Sequence, residues 1–69
     1  MNLKQKAQSI ADKDIKIGLK LRLLMVLHGL DNSDIAFVLG ISDNEVEKII
    51  LHQREVSPEL EEKIIEELI

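Results

Sequence analysis

At 69 residues the chain has room for one domain, and a domain of this size buries only about 60% of the surface its unfolded form exposes, so its stability margin is narrow. It has no cysteine for a disulfide or thiolate metal site, one Phe as its only aromatic, and hydrophobic residues at 45%, so Leu, Ile and Val must build the core. The net charge of −4 is unevenly divided: six basic residues oppose two acids through Leu30, and three oppose eleven from Asp31 onward, which argues against a broad phosphate-binding surface in the back half.

Sustained apolar–polar alternation is absent and helical periodicity is present almost throughout, so an all-α fold is expected, a compact bundle of four to five short helices. The first segment, Asn2 to Ala11, carries Leu3, Ala7, Ile10 and Ala11 at three- and four-residue spacings, which puts them on one face. Asp12 or Asp14 then caps a second helix from Ile15 to His28, with Ile17, Leu21 and Leu24 continuing the stripe. One long helix is the competing reading, because Leu3, Ala7, Ile10, Asp14, Ile17, Leu21, Leu24 and His28 keep a heptad-like spacing; Asp14 on that seam favours a break.

Gly29 ends the second helix by taking the left-handed conformation cheaply. Asp31 caps a short helix from Asn32 to Leu39, with Asp34 near the positive end of its dipole, and Gly40 stops it. Ser42 caps the next, Asp43 to about His52, with Val46, Ile49 and Ile50 facing inward. Ser57-Pro58-Glu59 opens the last helix with cap, first-turn proline and first-turn acid in order, and Leu60, Ile64, Ile65, Leu68 and Ile69 form its apolar stripe. The organisation read from this is an N-terminal helical extension over 1–14 and a main domain over 15–69.

The stretch from Asn32 to Ile49 has its small and apolar residues in a telling order. Ala36 is small where two helices cross closely, Gly40 is glycine where the chain turns with a positive φ, and Ile35, Leu39, Ile41, Val46 and Ile49 are spaced to lock the crossing. This stretch resembles the helix-turn-helix of the phage-repressor/Cro family, the likeness extending over Ile15 to Leu68. The resemblance implies a lambda-repressor-like DNA-binding domain with an extra N-terminal segment, acting on a double-stranded DNA operator, usually as a homodimer.

In that family the second helix of the motif lies in the major groove. The resemblance carries this role onto Asp43, Asn44, Glu47 and Lys48, with Asn32 near the DNA backbone and His52, Gln53 and Arg54 close by. Asn44 suits adenine, Lys48 guanine and Asp43 cytosine, whereas Glu45 and Glu47 have no such simple use and meet phosphate repulsion. The family commonly pairs an Arg of its first helix with a Glu after the recognition helix; Met25 and Ile50 stand there, a joint apolar replacement that avoids a lone buried charge. His52 stands where the family commonly has glycine.

No catalytic constellation assembles. His28 and His52 lack clustered carboxylate partners in sequence, and Ser9, Ser33, Ser42 and Ser57 lack a glycine-rich elbow, so neither a metal, a cofactor nor an enzymatic activity is expected. The five glutamates from Glu59 to Glu67 read as a solvated face or as an acidic surface for a basic partner. Leu60, Ile64, Ile65, Leu68 and Ile69 read as core with a dimer or partner seam. Two functions follow: a Cro- or repressor-like transcriptional regulator, or an antirepressor-like interaction module that binds a partner repressor protein. No apolar run approaches the roughly 20 residues of a membrane span, and Met1–Lys6 leads into no signal-peptide core, so a cytoplasmic protein without a membrane role is expected.

Overall fold

A computed structural model describes residues 2–69 and contains five helices: α1 (Leu3–Ala11), α2 (Ile17–His28), α3 (Asn32–Leu39), α4 (Asp43–Ile50) and α5 (Pro58–Leu68). Among the described residues there is no strand, and no helix is long and apolar enough to cross a membrane.

Helix starts follow local hydrogen-bonding chemistry. Asn2 caps α1 and exchanges bonds with Gln5 in a capping box, the Gln5 N–H donating to Asn2 Oδ1 at 2.8 Å. Asp31 and Asp34 make the same reciprocal pair at α3, and Ser42 and Ser57 accept from Glu45 and Leu60 N–H groups at α4 and α5. The exception is α2. It begins at Ile17 rather than Ile15, and neither Asp12 nor Asp14 caps it: Lys16 occupies the cap with extended backbone and no side-chain bond. Asp12 instead terminates α1, where its carboxylate accepts from the Gln8 amide at 2.9 Å. The break between α1 and α2 excludes the single rod.

Three helices end by one device. Gly29 (φ 68°), Gly40 (φ 70°) and His52 (φ 60°) are left-handed, and the residue after each donates back to a carbonyl five positions earlier: Leu30 to Met25, Ile41 to Ala36, Gln53 to Lys48. Because His52 takes this conformation, α4 stops at Ile50, two residues short of the span expected from its periodicity.

The core draws on every helix. Leu21 and Leu24 of α2, Ile35 of α3, Val46 and Ile49 of α4 and Ile64 of α5 are fully buried, and Ala7 of α1 joins them at 0% exposure. Each large aliphatic side chain removed from water in this way contributes about 1.5–3 kcal/mol. Among the described residues no polar or charged one is buried. The C-terminal apolar stripe divides: Ile64 and Leu68 face the core and are closed to any partner, whereas Leu60, Ile65 and Ile69 pack half-buried at its edge.

Hydrogen bonds to main-chain carbonyls join helices at their ends. Lys20 Nζ donates to the Ala11 carbonyl at 2.7 Å, tying α2 to the last turn of α1. Lys63 Nζ reaches the Leu39 carbonyl at 3.3 Å, and His28 Nε2 meets the Leu68 carbonyl at 2.6 Å. A carbonyl only accepts, so Nε2 is the donor in this bond.

Candidate nucleic-acid interface

The α3–α4 pair is built outward from its turn. Gly40 reverses the chain in a conformation costly to an L-residue, Ile41 bonds back to Ala36, and Ser42 is extended so that its hydroxyl meets the Glu45 N–H at 3.1 Å. Ile35, Ala36 and Leu39 from one helix and Val46 and Ile49 from the other are all buried, with Ile41 half-buried at the turn. These are the residues whose spacing marked the motif.

A second contact positions α4, and it uses main chain. A Cβ placed on Gly18 of α2 would collide with the Ile49 carbonyl oxygen and lie 2.9 Å from His52 Nδ1. The α2 backbone therefore rests on the end of α4, and the His52 ring covers the same spot. Met25 and Ile50 line one depression of about 480 Å³ together with Arg22 and Asn32.

With its inner face held, α4 turns Asp43, Asn44, Glu47 and Lys48 outward, all exposed. Asn32 is half-buried at the start of α3, and His52, Gln53 and Arg54 are exposed beyond α4. Two of these residues already have partners. The Ser33 hydroxyl donates to Asp43 Oδ2 at 2.6 Å, joining the first turns of α3 and α4. Arg54 Nη1 donates to Glu45 Oε2 at 2.6 Å, closing the loop after α4 onto its first turn. Asp43 and Glu45 also lie at the positive end of the α4 dipole, and Lys48 lies in its last turn, so each charge has the favourable sign for its position.

The contact of Ser33 with Asp43 and the role of Gly18 were not legible in the sequence. Their contacts join residues ten positions apart, or approach through main chain, and leave no periodic trace. The Glu45 contact had a local hint, because Ser42 and Glu45 stand at capping-box spacing and that carboxylate is thereby kept at the helix start. Phe37, the single aromatic, is 89% exposed on the outer side of α3. Among the described residues no group of three or more His, Asp or Glu side chains is arranged to hold a metal ion.

Comparison with protein-family models, with curated proteins and with solved structures returned no match for the chain.

Proposed function

We propose that this chain is a Cro/repressor-like transcriptional regulator, of the kind found in phages and prophages, that acts in the cytoplasm and reads double-stranded DNA through α4. The observation that supports this reading best is the α3–Gly40–Ser42–α4 unit, whose buried Ala36 and left-handed glycine leave Asn44, Glu47 and Lys48 on one outward face. A short exposed helix with an amide and an ammonium one turn apart fits the major groove, where the amide pairs with adenine and the ammonium with guanine. The ion pair of Arg54 with Glu45 offsets one of the carboxylates that would repel phosphate.

The test is fluorescence anisotropy of the protein against duplexes selected from genomic fragments, followed across a salt series. Binding falls steeply with salt, and Lys48→Ala weakens it by about 1–3 kcal/mol at one base position. Absence of binding to every fragment at low salt overturns the proposal.

One observation favours a second reading, an antirepressor-like module that binds a partner repressor protein. Lys48 is the only cation on α4, and Arg54 is committed to Glu45, so little free positive charge faces outward there. Co-purification with a basic helix-turn-helix protein, in the absence of DNA binding, separates this reading from the first.

A further inference from the structure

The helix α2 is apolar on more sides than its neighbours cover. Leu21, Leu24 and Met25 enter the core, but Leu19, Leu23 and Val26, spaced by four and three residues, form a second stripe on the outer side. Leu19 is 41% and Val26 74% exposed, with Leu23 half-buried between them. Lys16 and Arg22, both exposed, border the stripe. A helix with apolar residues on two faces normally buries both, and this one does not.

The chain carries a surface of matching chemistry elsewhere. On α5 a depression of about 490 Å³ is lined by Pro58, Glu61, Glu62, Ile65 and Glu66, an apolar floor with an acidic rim. Because α2 and α5 pack together through their core faces, their outer surfaces point apart and do not meet within one molecule.

We propose that the basic-rimmed Leu19–Leu23–Val26 stripe docks into the acidic-rimmed Ile65 depression of a second copy of the chain. The front and back halves of the sequence, opposite in charge, are the two partners of this contact. Such a contact joins unlike surfaces, so it leaves one free patch at each end and extends into chains rather than closing as a two-fold dimer. Its small area makes it weak and its charges make it sensitive to salt. The inference does not rest on the DNA-binding reading.

The experiment is sedimentation equilibrium of the full chain and of two surface variants, Val26→Asp and Glu62→Lys/Glu66→Lys, with circular dichroism as a check that each folds. The wild type shows a weight-average mass that climbs past the dimer as concentration rises and drops toward the monomer in high salt. Each variant alone weakens self-association about tenfold or more. Mixed in equal amounts, the two variants form a heterodimer that grows no further, because each supplies the patch the other lacks. A wild type that stays monomeric at millimolar concentration and low salt overturns the proposal. So does self-association that survives both substitutions, or a mixture that fails to restore pairing.

Discussion

The helix α4 is gripped from two sides, and the two grips differ in kind. Toward α3 the contact is side chain on side chain, with Ile35, Ala36 and Leu39 against Val46 and Ile49. Toward α2 it centres on main chain, where Gly18 lacks a side chain and the Ile49 carbonyl, flanked by the His52 ring, occupies the space. The first grip draws its energy from apolar area and tolerates small adjustments of rotamer. The second depends on an absence: a glycine inside a helix costs up to about 1 kcal/mol relative to alanine, and only close approach offsets that cost.

The side-chain grip is the easier to break. Ile49→Ala leaves a hole beneath α3 and lowers unfolding free energy by about 2–5 kcal/mol in a urea titration. A loss under about 1 kcal/mol shows that the site collapses around the hole and that the grip is not built on Ile49. The main-chain grip is tested by Gly18→Ala, which on a free helix surface raises stability by up to about 1 kcal/mol. Here the sign reverses, with about 1–3 kcal/mol lost, because the obstructing atom is a backbone oxygen that cannot rotate away. Gly40→Ala sharpens the point: nothing lies within 4 Å of its Cβ, so its loss of about 1–2 kcal/mol comes from the positive φ alone. A thermal melt in which Gly18→Ala raises the midpoint refutes the close approach of α2 to α4.

The smallest effect belongs to the solvent side of α4, where neither grip operates. Arg54 and Glu45 are 36% and 40% exposed, so a double-mutant cycle between Arg54→Ala and Glu45→Ala gives a coupling of about 0–1 kcal/mol that fades with added salt. A coupling as large as that of a core contact means that the pair clamps the loop onto α4 in a way its exposure does not predict.

The same distinction decides what the sequence reveals of the fold and of the candidate site. The ends of α3 and the starts of α4 and α5 were legible, because Asp31, Gly40, Ser42 and Ser57-Pro58 act through bonds to their nearest neighbours. The start of α2 was not, since an uncapped helix carries no marker, and Asp12 closes the end of α1 rather than opening α2. Periodicity ran α4 through His52 because an apolar pattern does not register a single left-handed residue. The C-terminal stripe was seen, but which of its members face inward depends on where α2 and α3 lie. For the outward residues of α4, spacing gave the face; that Asp43 and Arg54 are already engaged required coordinates.

Every bond that Lys20, Lys63 and His28 make across helices ends on a peptide oxygen, an atom that all residue types supply alike. Homologues therefore have no reason to change the two ends of such a link in concert: the donor is lost by one substitution, and no compensating exchange at residues 11, 39 or 68 brings it back. Methods that infer proximity from paired variation are blind to these fastenings, and a designer who transplants the helices without their donors loses them unnoticed.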